Sequence, residues 1–78
     1  MSDPLLDVFA QGLSLDAATL DDETSPDNTE AWDSLAAMEL VTLIEDNFDV
    51  SLSTRDIMKM RSIGMARSVL KDKGIEGI

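Results

Sequence analysis

The sequence predicts an all-α domain, with three main helices, one short helix and a long loop after the first. Three observations predict it. Apolar residues recur at spacings of three and four in several stretches, and no stretch reads as a strand. Capping residues stand in front of these stretches, and glycines or polar turns close them. The chain has 78 residues and no internal repeat, so residues 1–78 read as one domain.

Ser2-Asp3-Pro4 is a helix-start signal, because a capping side chain precedes a proline that fits the first helical position. Leu5, Leu6, Phe9 and Leu13 make the apolar stripe of a helix of about 10 residues, with Gly12 as its end signal. Residues 14–32 show no sustained period, and Ser, Thr, Asp, Asn and Pro dominate them. So long a connection needs pins, and Leu15, Leu20 and Trp32 are available. The next helix runs from Asp33 to Phe48, with Asp33 as N-cap. Ala37, Leu40, Val41, Ile44 and Phe48 form its core stripe. Ser53-Thr54-Arg55-Asp56 resembles a capping box and opens a short helix carrying Ile57 and Met60. Ser62 caps a last helix with Ile63, Ala66, Val69 and Leu70 on one face. Lys71 and Lys73 suit its C-terminal end, Gly74 stops it, and Ile75 to Ile78 are expected to fray.

Composition excludes several function classes. There is no cysteine and no histidine. Disulfides, Cys or His metal sites and Cys–His or Ser–His catalysis are therefore absent. Any thiol chemistry has to arrive on a prosthetic group. A domain of this length buries roughly 60 % of its unfolded surface, which leaves little room for a deep active site. The net charge of −10 argues against nucleic acid and anionic membranes and favours basic partners. Residues 1–54 hold thirteen acids and no base, while all six bases (Arg55, Lys59, Arg61, Arg67, Lys71 and Lys73) follow. No apolar run reaches a membrane span and no signal peptide is read, so a cytoplasmic location and a monomer are expected.

The chemistry-bearing stretch is the start of the second helix. The first turn of a helix offers unpaired N–H groups and a partial positive charge, so a phosphate carried on Ser34 is electrostatically favoured there. Taken alone, Ser34 reads as a first-turn residue. The surface that the core stripe leaves free carries Leu35, Met38, Glu39, Thr42, Glu45 and Asp46, a candidate docking face. Each of its acids, taken singly, reads equally as a solvated charge. Trp32 reads as a pin holding the loop to the bundle. Met58, Met60 and Met65 read as gap-fillers in a small core. The acidic loop does not fit a calcium loop. A frame from Asp22 puts Thr24 and Pro26 at ligand positions, one from Asp27 puts Thr29 and Ala31 there, and neither has the turn glycine.

Asp33-Ser34-Leu35, followed by Glu39-Leu40, Ile44-Glu45 and Phe48, then Asp56-Ile57, resembles the acyl carrier proteins and related carrier domains. The resemblance covers about residues 3–72. It implies a small four-helix bundle and no enzyme activity of its own. It also implies a 4'-phosphopantetheine arm on Ser34, moved there from coenzyme A by a phosphopantetheinyl transferase with magnesium. Asp33 stands at the family's aspartate position and would orient that reaction. Partner recognition falls on the face already named, and the partners would be acyl-loading, condensing or acyl-transfer enzymes with basic docking patches. If the bundle parts for an acyl chain, Leu40, Val41, Ile44, Phe48, Leu52, Ile57 and Met60 would line the cavity. In the empty state they are plain core. No metal site is expected.

The chain departs from the housekeeping fatty-acid carriers in two places. Ala31 and Trp32 stand where those carriers have glycine and a small residue, and the third helix carries Arg55 and Lys59 beside its lone acid, Asp56. A dedicated carrier for a specialised acyl, polyketide or related pathway fits better. The alternative is a carrier-like acidic interaction subunit that is never modified, whose function would survive Ser34→Ala. A third class, a small acidic metal-binding protein, is rejected on the calcium-loop pattern. Calcium titration followed by Trp32 fluorescence is expected to give no saturable change, and a saturable one would restore that class.

Overall fold

The structure is a computed structural model that describes residues 3–78. Its elements in order are α1 (Pro4–Leu13), a single 3-10 turn (Ala17–Thr19), α2 (Ser34–Phe48), α3 (Thr54–Lys59) and α4 (Ile63–Asp72). No strand occurs among the described residues. The helices enclose one core, whose largest fully buried side chains are Phe9, Leu5, Leu40, Ile44, Ile63 and Leu70.

Local rules explain most boundaries. Asp3 caps α1 by accepting from the N–H groups of Leu5 (3.1 Å) and Leu6 (3.3 Å), and Pro4 takes the first helical position. Ser2, read with Asp3 as part of this start, lies outside the described residues. The capping box of α3 is complete, since the Asp56 N–H donates to Ser53 Oγ (3.1 Å) and the Ser53 N–H to Asp56 Oδ2 (3.0 Å). Gly74, at φ 91°, ends α4 in a Schellman motif, with the Gly74 N–H on the Lys71 carbonyl and the Ile75 N–H on that of Leu70 (both 3.0 Å).

Packing overturns several expectations. Gly12 does not end α1, because the left-handed residue there is Ser14 (φ 57°) and Gly12 lies buried inside the helix. A Cβ at Gly12 would stand 2.5 Å from Leu40 Cδ2, so the glycine permits the close crossing of α1 over α2. The stripe of α1 accordingly turns towards Val8 and Gly12, and Leu6 is only half-buried. On α2 the buried line is Ala36, Leu40 and Ile44, while Ala37, Val41 and Phe48 are half-buried beside it. Leu15 is exposed and pins nothing, and Leu20 and Trp32 are buried. Met60 fills the core, but Met58 and Met65 are exposed. The C-terminal residues pack rather than fray, with Ile75 and Ile78 half-buried against the core.

The long loop is tied down more than its composition suggests. Asn28 accepts from the Ser25 N–H (3.0 Å) and donates to the Glu23 carbonyl (2.9 Å). The free N–H groups at the start of α4 are met by loop carbonyls, Ile63 by Thr24 and Gly64 by Asp22, both at 3.0 Å. A Cβ at Gly64 would stand 3.0 Å from the Asp22 carbonyl oxygen, a tight contact that the glycine avoids. Asp22 is not merely solvated, because Arg67 bridges it and Asp3, each at 2.9 Å. Partial burial works against the Asp3 charge, yet the bonds from Arg67, Leu6 and Leu5 hold its pKa below the ordinary value.

The short helix α3 contributes no buried side chain of its own. It is held at its ends. Glu45 of α2 accepts from the Leu52 N–H (2.8 Å) just ahead of it, and Asp56 pairs with Lys73 (2.8 Å) beyond the end of α4. The Lys73 ammonium, with the Ser53 N–H, lowers the Asp56 pKa to about 2.

Two outcomes follow from this packing. Gly12→Ala gains about 1 kcal/mol of helix propensity. Its added carbon must displace the buried Leu40, and overpacking of this kind costs roughly 1–3 kcal/mol, so net destabilisation of about 1 kcal/mol is expected by urea unfolding. Asp56 has a depressed pKa, so its contribution is complete above the ordinary carboxylate range and is lost as pH falls through about 2. Wild type is therefore expected to lose α3 amide protection between about pH 4 and pH 2, whereas Asp56→Asn shows weakened α3 protection throughout and no loss in that window.

Candidate functional site

The site forms where the loop enters α2. Trp32 is buried against Phe9, with ring centroids 5.2 Å apart and planes at 58°. This contact anchors the last loop residues on α1 and sets the start of α2. Asp33 is extended (φ −101°, ψ −171°), and its Oδ1 accepts from the Ala36 N–H at 2.9 Å. One of its two carboxylate oxygens thus serves the cap and the other remains for a further partner. Ser34 follows as the first helical residue, exposed. The Ser34 and Leu35 N–H groups belong to the first turn and have no intrahelical acceptor.

Three spaces meet here. An open pocket of about 300 Å³ is lined by Pro26, Trp32, Asp33, Ser34 and Ala37. An interior cavity of about 40 Å³ is lined by Phe9, Trp32, Ala37, Leu40, Val41, Ile57 and Met60. A groove of about 320 Å³ runs between α2 and α3, along Ala37, Met38, Val41, Thr42 and Ile57. Ala37 borders all three, and Trp32 separates the first from the second.

Of the residues expected to line an acyl cavity, Leu40, Val41, Ile57 and Met60 do meet around the interior space. Ile44 is sealed in the core, and Phe48 and Leu52 pack against it without reaching this cavity. Sequence reasoning missed Phe9, Ala37 and Pro26 as lining residues. Ala37 follows Ser34 by one helical turn, a legible signal, but nothing local pairs Phe9 with Trp32.

Most of the residues expected to form a docking face are exposed. Leu35 (79 % exposed), Met38 (70 %), Glu39, Thr42 and Asp46 share one open side of α2. Glu45 differs, being half-buried with one oxygen committed to the Leu52 N–H. Leu35 and Met38 are large apolar side chains left in water beside Ser34, a costly exposure in a chain this small.

Residues 3–66 match the family model described as a phosphopantetheine attachment site. The chain is 31 % identical over 75 residues to an acyl carrier protein of Syntrophus aciditrophicus, covering 96 % of this chain and 94 % of that protein. The chain belongs to the acyl carrier protein family.

It also superimposes on the solution structure of the holo acyl carrier protein from Geobacter metallireducens, with a TM-score of 0.76 and 28 % identity, covering 90 % of this chain and 85 % of that one. The protein is thus a carrier and not an enzyme, and it bears a covalently attached 4'-phosphopantetheine. Its partners include a phosphopantetheinyl transferase and acyl-handling enzymes. No helix among the described residues is long and apolar enough to cross a membrane. The residues at the start of α2 suit such an arm. An exposed hydroxyl stands at a helix N-terminus that favours a phosphodiester, beside an open pocket and a free carboxylate oxygen.

Proposed function

We propose that the arm is attached through the Ser34 hydroxyl and that Asp33 orients the transfer, its uncommitted oxygen being available to the magnesium that the transferase brings. The observation that carries this reading is the placement of Ser34. It is exposed at the first position of α2, next to a pocket of about 300 Å³, and is backed by a capped and anchored helix start. The arm supplies a thiol, a good nucleophile for loading and a competent leaving group for unloading. The chain's own residues present and orient it.

The docking face then comprises Leu35, Met38, Glu39, Thr42 and Asp46, with the free oxygen of Glu45 at its end. Its acids select acyl-loading, condensing or acyl-transfer enzymes with basic patches, and its two exposed apolar side chains meet them beside the arm. Such contacts are small and transient, as a carrier that visits several enzymes requires. The start of a bound acyl chain would pass Ala37 into the space lined by Leu40, Val41, Ile57 and Met60. The pathway is a specialised acyl, polyketide or related one rather than general fatty-acid synthesis. The basic residues of α3 support this, since Asp56 is spent on Lys73 while Arg55 and Lys59 remain exposed. The carrier works as a cytoplasmic monomer.

The test is intact mass before and after incubation with coenzyme A, magnesium and a broad-specificity phosphopantetheinyl transferase. Wild type is expected to gain one phosphopantetheine, and a folded Ser34→Ala none. A gain on the variant would move the site elsewhere. No gain on either folded protein would favour the unmodified interaction subunit.

A further inference from the structure

Four of the six bases have no ion-pair partner among the described residues. Arg67 and Lys73 are committed to Asp3, Asp22 and Asp56, while Arg55, Lys59, Arg61 and Lys71 are exposed and unpaired. Three of these lie on α3 or in the turn after it. Arg55 and Lys59 are four residues apart and share one face with Met58, which is 71 % exposed. Beside them a second groove, about 230 Å³, opens between α3 and α4, lined by Lys59, Met65, Ser68, Val69 and Asp72. Met65 is 48 % exposed at its edge. The helix α3 therefore lies between two grooves of different character. The one towards α2 adjoins the acidic docking face, and the one towards α4 is lined by Lys59 of α3, with Arg55 and Arg61 elsewhere on α3 and in the turn after it.

A chain of net charge −10 needs no surface cations for solubility, and these do not stabilise the bundle through pairs. Their concentration beside exposed methionines, which adapt to varied partners, is the pattern of a contact surface. Asp72 is the one acid in the groove, and Asp56 is neutralised by Lys73. Long-range repulsion from the rest of the chain is screened beyond about 8 Å at physiological salt, so on contact the local cations decide.

We propose that the α3–α4 face, with Arg55, Met58, Lys59, Arg61 and Met65, is a second docking surface for a partner protein whose carboxylates flank an apolar side chain. Its charge is opposite to that of the α2 face, so the carrier sorts partners by sign between two surfaces. The partner's apolar side chain enters the groove over Met65 and Val69, and its carboxylates meet Arg55, Lys59 and Arg61. This surface does not depend on Ser34 carrying the arm.

The probe is a synthetic amphipathic helical peptide with leucines on one face and glutamates along both flanks, beside a lysine-flanked counterpart. Amide shifts of the full ¹⁵N-labelled chain are followed on titration. The glutamate peptide is expected to shift residues 58–65 and 68–72 saturably, and to weaken as salt rises. Charge reversal at three sites, R55E/K59E/R61E, is expected to lower its affinity about tenfold or more, and the neutral R55Q/K59Q/R61Q less. Both variants must keep the wild-type circular dichroism, and Ser34→Ala must bind the peptide unchanged. Equal binding of the lysine peptide at this face would reduce the site to non-specific apolar contact and overturn the proposal. Shifts confined to α2, or none, would also overturn it. Co-sedimentation with phosphatidylserine vesicles that R55E/K59E/R61E abolishes would assign the face to a membrane instead.

Discussion

The burial of Trp32 against Phe9 is the contact on which the site depends. Trp32 immediately precedes Asp33 and Ser34, so wherever the indole is held, the start of α2 is held with it. An aromatic side chain of this size buries roughly 150–250 Å², or about 4–6 kcal/mol at 25 cal/mol per Å², as an upper bound. The Asp33 cap contributes about 1 kcal/mol. Total stability for a chain this long is only of the order of 4–12 kcal/mol. The stack is therefore the larger of the two local terms. It draws the end of a nineteen-residue connection onto the bundle, and the cap then sets the direction in which Ser34 emerges.

The other end of the connection is held by backbone and charge rather than by apolar area. Loop carbonyls complete the first turn of α4, and Arg67 gathers Asp3 and Asp22. The frame of α1, α2 and α4 is thereby braced at both ends of the loop. The helix α3 is different in kind. Its contacts with the frame are the Ile57 side chain, the Glu45–Leu52 bond and the Asp56–Lys73 pair. An element with so little buried surface opens at low cost. It sits beside the interior cavity on one side and the groove towards α4 on the other. The same short helix thus borders the interior cavity and carries two of the four unpaired cations.

Sequence patterns located the four helices and the start of the site, because caps, helical periods and a terminating glycine act through neighbours only a few residues away. Ser53 with Asp56, Asp33 with Ala36 and Gly74 after α4 are all of this kind. The same patterns placed the stripe of α4 correctly but misjudged the edges of those on α1 and α2, placing Ala37 where Ala36 is buried and missing Val8. A helical period leaves a stripe free to rotate until a neighbouring helix docks. Here the docking point is Gly12 against Leu40, a glycine that local reasoning reads as a helix end.

The sequence by itself determined the helix order, the acidic balance, the absence of any side-chain thiol or imidazole, and the residue types at the head of α2. Those properties are local or additive, so no fold is needed to read them. Tertiary structure alone decided what closes the interior cavity, which acids are spent on Arg67, Lys73 and the Leu52 N–H, and which cations remain free. Arg67 meets Asp22 and Asp3 across 45 and 64 residues of chain. Pairings at that separation depend on how the helices cross, and the crossing is set by side-chain volume at a few contact points rather than by any pattern along the chain.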